Sequence, residues 1–215
     1  MKSSKISAVC FDMWGTLCEG GGGKEWEDLQ QNLGALDIEK KKFYRLGLKN
    51  LLLHPWPLRE SIRHLGHALN LKIDNKTVEK AYQSWWQIVE KSKPYPEVIQ
   101  VLDKLEQLKI RKFIISNTDS QSFYYEIKKF DLKKYFERFF ISSQIGSLKH
   151  EGKMFELAHD YLSFPKNQVL MVDDSLNHGV EPARQFGWQA LWIARGRKEK
   201  YTNKIDDLRG IFDFL

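Results

Sequence analysis

Short apolar runs along the chain alternate with longer segments in which apolar residues recur every three or four positions. The runs have the length and composition of buried strands, and the segments between them have the periodicity of amphipathic helices. The strand-like runs are 6–11, 112–115, 138–141, 168–172 and 190–193. Strands that alternate with helices of about ten to fifteen residues favour a parallel sheet with helices on both faces. The pattern therefore predicts an α/β fold with a doubly wound, Rossmann-like parallel sheet.

Polar residues stand at the points where these apolar runs stop. Asp12 follows the first run, Ser116 the second and Lys149 the third, and Asp173 and Asp174 follow the fourth. In a parallel sheet the loops at the carboxyl ends of the strands gather into one crevice. We therefore expect side chains far apart in the sequence to meet there. Adjacent buried acids also cost free energy without a cation or a donor, which favours a metal site.

A long segment between the first two strands is too large to be a single crossover helix. Its helical patterning is bordered by the glycines at 20–23 and by Pro94-Tyr95-Pro96, both of which are chain-breaking compositions. We predict an inserted helical cap at residues 18–93. Residues 1–17 and 94–215 then form the core domain.

Composition and charge narrow the class of protein. The 215 residues carry a net charge of +6, but lysine and arginine are spread along the chain, so we expect no nucleic-acid partner. No apolar run approaches the roughly 18 residues of a membrane helix, so we expect no membrane partner and a cytoplasmic location. Cys10 and Cys18 flank the first strand end, and we expect both as reduced thiols.

Four motifs in order resemble the haloacid dehalogenase superfamily. The first is Asp12-Met13-Trp14-Gly15-Thr16 after an apolar strand, similar to the family's Asp-x-Asp-Gly-Thr. The others are Ser116-Asn117, Lys149 followed by Phe155, and Asp173-Asp174-Ser175. Each is weak alone, because the first could cap a turn, the second a helix, and a single lysine is usually on the surface. Together they span most of the chain.

The resemblance implies a role for each residue. Asp12 is the expected nucleophile, and Lys149 neutralises charge on it. Two unit charges at about 4 Å repel by about 4 kcal/mol at an effective dielectric constant near 20, so a carboxylate that attacks a phosphate needs a cation. We expect Mg²⁺ as the cofactor, with Asp12, Asp173, Asp174 and the backbone carbonyl of Trp14 as ligands. The residues expected to bind the substrate are Thr16, Ser116, Asn117 and, from the cap, Arg59.

The chain departs from the phosphatase pattern at Trp14. Phosphatases of the family carry a second aspartate here, which protonates the leaving group, whereas the dehalogenases carry an aromatic residue. Dehalogenases need no metal, however, and tend not to have paired acids in the fourth motif. The loss of acid–base catalysis typically costs 10² to 10⁴-fold in rate. We therefore expect a slow phosphatase, or one that prefers good leaving groups such as acyl or aryl phosphates.

Two alternatives stay open: a metal-independent 2-haloacid dehalogenase, and a catalytically weak binding protein on the same fold. Gly179 also stands where many relatives carry a further acid, which weakens the metal site or shifts that duty to Asp173.

The cap is expected to select the substrate, a small phosphorylated metabolite. Besides Arg59, candidates for its pocket are His54, Trp56, Trp85 and Trp86, although aromatic residues at helical spacing are also typical of a core. We expect a monomer or a weak homodimer.

Overall fold

The computed structural model describes residues 5–20 and 23–215. Its centre is a parallel sheet of six strands in the order β3-β2-β1-β4-β5-β6. The strands are β1 Ala8–Phe11, β2 Arg111–Ser116, β3 Arg138–Ile141, β4 Val169–Asp173, β5 Gln189–Ile193 and β6 Lys204–Ile205. The predicted α/β fold and parallel sheet are confirmed, and the five predicted strands begin and end within two residues of the observed ones. The two-residue β6 was not predicted.

The sheet is buried on both faces because successive side chains of a strand point in opposite directions. In β1, Val9 and Phe11 belong to one hydrophobic cluster, while Ala8 and Cys10 belong to the cluster on the other face. This explains why β1 is continuously apolar instead of alternating with polar residues.

Helices cover the two faces of the sheet. Helices α5 (Val98–Gln107) and α6 (Ser120–Lys129) contribute Val98 and Phe123 to the cluster that contains Val9. On the opposite face, α8 (Lys153–Leu162) and α9 (Glu181–Phe186) contribute Met154 and Ala183. The short helix α7 (Ser142–Ile145) follows β3 directly.

The first four helices after β1 lie where the sequence predicts a cap. They are α1 (Lys24–Asn32), α2 (Lys40–Leu52), α3 (Leu58–Ala68) and α4 (Asn75–Lys91). Their apolar faces, including Leu29, Leu51, Ile62 and Val78, form a hydrophobic cluster separate from the two beside the sheet. We call residues 24–91 the helical segment; its role as a cap stays a prediction.

Two short chain stretches join the helical segment to the rest of the protein. Cys18 pairs with Pro94 in an isolated antiparallel bridge, and the Glu19 amide donates to the carbonyl of Lys93 at 2.9 Å. Gly21 and Gly22, in the glycine run that borders the predicted cap, lie outside the described residues. Among the residues described, no helix combines the length and the apolarity that crossing a membrane requires.

Candidate active site

The site lies where strand order reverses beside β1. Phe11 pairs with Val172 in the register of β1 and β4, so Asp12 and Asp173 follow on neighbouring strand ends. Asn117 follows β2 on the other side of β1. The structure thus brings the polar residues at these strand ends to one edge of the sheet, in the crevice typical of open α/β folds.

Lys149 joins two of the acids. Its Nζ donates to Asp12 Oδ1 at 2.6 Å and to Asp173 Oδ2 at 2.5 Å. The lysine side chain is 3% exposed. Burial lowers the pKa of Lys149, but the carboxylates of Asp12 and Asp173 raise it more, so the amine stays charged.

Asp12, Asp173 and Asp174 form a compact acidic cluster. Each offers a carboxylate oxygen, and these atoms lie within 4.8 Å of one another. Burial raises the pKa of Asp173 and of Asp174, and the negative charge of Asp12 adds to the rise, while Lys149 and Arg197 oppose it. Such a group of buried acids lowers its own free energy by binding a cation or a proton.

Asp174, the second acid of the fourth motif, is held by Trp192 in β5 and by Arg197, which follows that strand. Its Oδ2 accepts from the Arg197 guanidinium at 2.9 Å, and its backbone carbonyl accepts from Arg197 and from the Trp192 indole. With Lys149 and Arg197 as the cations that pair with the three acids, the ionised cluster keeps an excess negative charge. Its oxygen ligands are those that magnesium prefers, so the residues present fit the expected metal.

Gly179 makes room for the Asp173 side chain. A Cβ atom built at Gly179 would lie 1.8 Å from Asp173 Oδ2, so any larger residue here would displace the carboxylate. The Ser175 amide donates to Asp173 Oδ1 at 2.8 Å and holds the side chain in this position. Asp173 therefore occupies the space beside position 179, which supports the expectation that it takes over the duty of a further acid.

The Trp14 side chain is held by contacts with Thr118 and Gly20. Its indole Nε1 donates to Thr118 Oγ1 at 3.2 Å, and its ring lies against Gly20, where a Cβ would be 2.4 Å from Cε3. The turn after β1 uses the carbonyl oxygens of Met13 and Cys18 as acceptors. The Trp14 carbonyl as a metal ligand stays a prediction.

The residues expected to bind phosphate oxygens differ in whether their side chains already have a hydrogen-bond partner. Asn117 Oδ1 accepts from the backbone amide of Lys149 at 2.9 Å, so its side chain positions the lysine. The hydroxyls of Ser116 and Thr16 are fully buried and have no hydrogen-bond partner among the described residues. A buried hydroxyl without a partner costs about 1–3 kcal/mol, which a bound ligand or water could recover.

Arg59 is not part of the cavity beside the acids. It forms an ion pair with Glu79 at 2.7 Å on the exposed face of the helical segment, and its guanidinium lies over the Tyr82 ring. His54 and Trp56 stack on each other, also away from the cavity. The structure thus places Arg59 outside this cavity, on a helix face where Glu79 and Tyr82 already provide its contacts, and its role in substrate binding stays a prediction.

A cavity of about 510 Å³ lies between the acidic cluster and the helical segment. Trp85 reaches it from α4, whereas its neighbour Trp86 does not line it. Reasoning from the sequence missed many of the residues that do, among them Glu25, Tyr44 and Arg197. The position of Arg197 after the last long strand could have identified it, because the same edge rule applies to β5.

Comparison with known proteins points to one family. A family described as haloacid dehalogenase-like hydrolases matches residues 6–187. The chain is 23% identical over 227 residues to (S)-2-haloacid dehalogenase 2 from a Pseudomonas strain, covering 98% of this chain and 97% of that protein.

Two solved structures share the fold across nearly the whole chain. The phosphatase from Thermococcus onnurineus has a TM-score of 0.67 at 21% identity, with 97% of both chains covered. A magnesium-bound hydrolase from Bacillus subtilis has a TM-score of 0.70 at 17% identity, with 99% of both covered. At these identities the likeness establishes the fold alone. The same fold also occurs in an L-2-haloacid dehalogenase, with a TM-score of 0.67 at 19% identity.

Proposed function

This chain belongs to the haloacid dehalogenase-like hydrolases, and we propose that within the family it is a magnesium-dependent phosphatase of small phosphate esters. The observation that carries the proposal is the cluster of Asp12, Asp173 and Asp174, whose carboxylate oxygens lie within 4.8 Å of one another. Two of these acids are at the end of a buried strand, where only a cation or a proton relieves their repulsion. Lys149 and Arg197 offset two of the three negative charges, and a bound Mg²⁺ would offset the remaining one.

The chemistry assigned to the residues is nucleophilic displacement at phosphorus. An Asp12 carboxylate oxygen forms a bond to phosphorus as the bond to the leaving oxygen breaks, which gives an aspartyl phosphate. Water then attacks phosphorus, the bond to Asp12 breaks, and inorganic phosphate leaves. Lys149 stays charged beside Asp12 and offsets the negative charge that accumulates. Ser116 supplies a buried hydroxyl that has no partner among the described residues and can donate to a phosphate oxygen.

Magnesium, when bound by Asp12, Asp174 and Asp173, supplies the positive charge that lets a carboxylate approach a phosphate dianion. The Trp14 indole cannot protonate the leaving group, and its N–H is engaged with Thr118. We therefore expect the best substrates to be acyl and aryl phosphates, whose leaving groups need no proton. We further propose that residues 24–91 act as the cap over the cavity, and that the protein works in the cytoplasm on a phosphorylated metabolite.

Turnover of p-nitrophenyl phosphate and acetyl phosphate tests this function. We expect activity with Mg²⁺, loss of activity in EDTA, and an inactive Asp12→Asn variant. Activity that persists unchanged in EDTA would contradict the role of the acidic cluster.

A metal-independent 2-haloacid dehalogenase is the second candidate. It is favoured by the full-length similarity to (S)-2-haloacid dehalogenase 2 and by an aromatic residue, Trp14, at the position of the missing acid. Halide release from 2-chloropropionate or chloroacetate in EDTA would establish it. Phosphate or Mg²⁺ binding without turnover of either substrate class would instead indicate a binding protein.

A further inference from the structure

The cavity has two chemically different halves. One half holds Asp12, Lys149 and Asp174, where the reacting phosphate is expected, and the other is formed by side chains of the helical segment. At about 510 Å³, the cavity lies within the range of sites for drug-sized ligands. A phosphate group alone would not fill the second half. We therefore expect the residues that line it to contact the rest of the substrate.

Aromatic rings fixed against one another line this second half. Trp26 packs edge-to-face on Tyr44, with ring centroids 5.1 Å apart, and on Trp85 at 5.2 Å. Gly47 permits the arrangement, because a Cβ there would lie 2.4 Å from the Trp26 ring. Trp14 adds a further ring from the side of the sheet, anchored by its hydrogen bond to Thr118. Rings held in this way offer a preformed surface for another aromatic group.

An acidic side chain stands beside these rings. Glu25 lines the cavity next to Trp26. No lysine or arginine among residues 5–20 and 23–215 forms an ion pair with it. Burial raises the pKa of Glu25 and that of Tyr44, and the charge of Glu25 raises the pKa of Tyr44 further. The partly buried Glu25 carboxylate can therefore form an ion pair with a cationic group of a ligand.

We propose that the substrate is a phosphate ester of a phenol that carries an amino group. Its ring would lie against Trp26 and Trp85, and its ammonium would lie at Glu25. This inference rests on the phosphatase function proposed above and names its substrate class. The phosphate end meets Lys149 and the metal ligands, so the two ends of the molecule are distinguished by charge. An ammonium near aromatic faces also gains from their negative quadrupoles.

A set of four substrates tests the ammonium within two pairs that each share the same kind of leaving group, a phenol or an alkyl alcohol. Tyramine O-phosphate has the ring and the ammonium, 4-ethylphenyl phosphate has the ring alone, O-phosphoethanolamine has the ammonium alone, and ethyl phosphate has neither. We expect kcat/KM with Mg²⁺ to be highest for tyramine O-phosphate. Its advantage over 4-ethylphenyl phosphate should be about tenfold or more, the size typical of a charge-assisted hydrogen bond.

Glu25→Gln tests the ammonium site. We expect the preference for tyramine O-phosphate over 4-ethylphenyl phosphate to fall towards one, because the value for tyramine O-phosphate declines. A wild-type ratio near one, or a ratio that Glu25→Gln leaves unchanged, would overturn the inference. Equal slowing of both aryl esters with an altered pH profile would overturn it too, since Glu25 would then act as a proton donor.

Trp85→Leu tests the aromatic surface, with Trp86→Leu as its matched control. Trp86 is adjacent in sequence but packs on Tyr82 and Tyr125 outside the cavity. We expect Trp85→Leu to raise KM for both aryl esters about tenfold, the scale of one lost aromatic contact, while Trp86→Leu does not. Tyr44→Leu, at a position 36% exposed, provides a second variant if Trp85→Leu fails to fold. Equal effects of the Trp85 and Trp86 variants would contradict the aromatic site.

Acetyl phosphate keeps the two proposals distinguishable. If wild-type protein with Mg²⁺ hydrolyses neither acetyl phosphate nor any of the phosphate esters, the proposed function itself fails. If acetyl phosphate is hydrolysed and EDTA stops the reaction, but the four-substrate set shows no preference, the function stands and the substrate class is wrong.

Discussion

Replacing Lys149 with methionine should destabilise the metal-free protein far more than the same change at Lys112. Both lysine side chains are 3% exposed and both form an ion pair. They differ in their partners: Lys149 contacts carboxylates that are 8% and 1% exposed, whereas the Glu106 carboxylate paired with Lys112 is 70% exposed. Methionine keeps most of the volume of either side chain, so the comparison isolates the charge.

The magnitude follows from what each substitution leaves behind. Lys149→Met leaves Asp12 and Asp173 buried, close together and without their common cation. Removing one partner of such a buried pair costs about 3–5 kcal/mol. Lys112→Met leaves Glu106 in water, and the loss of an exposed partner costs about 0–1 kcal/mol.

Urea unfolding in EDTA, followed by tryptophan fluorescence, measures both variants against the wild type. In thermal unfolding of a chain of this length, a loss of about 3 kcal/mol corresponds to a decrease in Tm of roughly 6–12 °C. Added Mg²⁺ should stabilise Lys149→Met, because a cation among the acids offsets part of the lost charge. Equal losses at the two lysines, or no loss at Lys149, would refute the view that this amine holds the acids together.

Three further expectations follow from single residues. Gly179→Ala should weaken Mg²⁺ binding in calorimetry and cost about 1–3 kcal/mol, because its Cβ would lie 1.8 Å from Asp173 Oδ2; unchanged affinity would exclude Asp173 as a ligand. Burial raises the pKa of Glu126 to about 8, above its unfolded value, so the stability that this carboxyl contributes is complete at low pH and lost as pH rises through 8. Glu126→Gln should therefore lessen the fall in unfolding free energy between pH 5 and pH 9 by more than about 1.4 kcal/mol, and identical pH profiles would count against the burial argument. Arg59→Ala should leave kcat/KM with acetyl phosphate unchanged, since Arg59 pairs with Glu79 on an exposed surface; a large loss of activity would return Arg59 to the site.

The sequence by itself determined the sheet and the positions of the acids. Five of the strands were predictable because a strand buried on both faces must be continuously apolar, and few other elements have that composition. The convergence of Asp12 and Asp173 was predictable for a related reason: the carboxyl ends of parallel strands lie at one edge, whatever the loops between them do.

Only the tertiary structure decided which side chains of the helical segment face the acids. Arg59 and Trp85 lie on similar amphipathic helices, yet Arg59 is held outside by Glu79 and Trp85 lines the cavity. Helical periodicity identifies a buried face but not what covers it, because that depends on how whole helices pack together. Glu25 resembles an ordinary surface charge in the sequence for the same reason, and only its place in the fold distinguishes it.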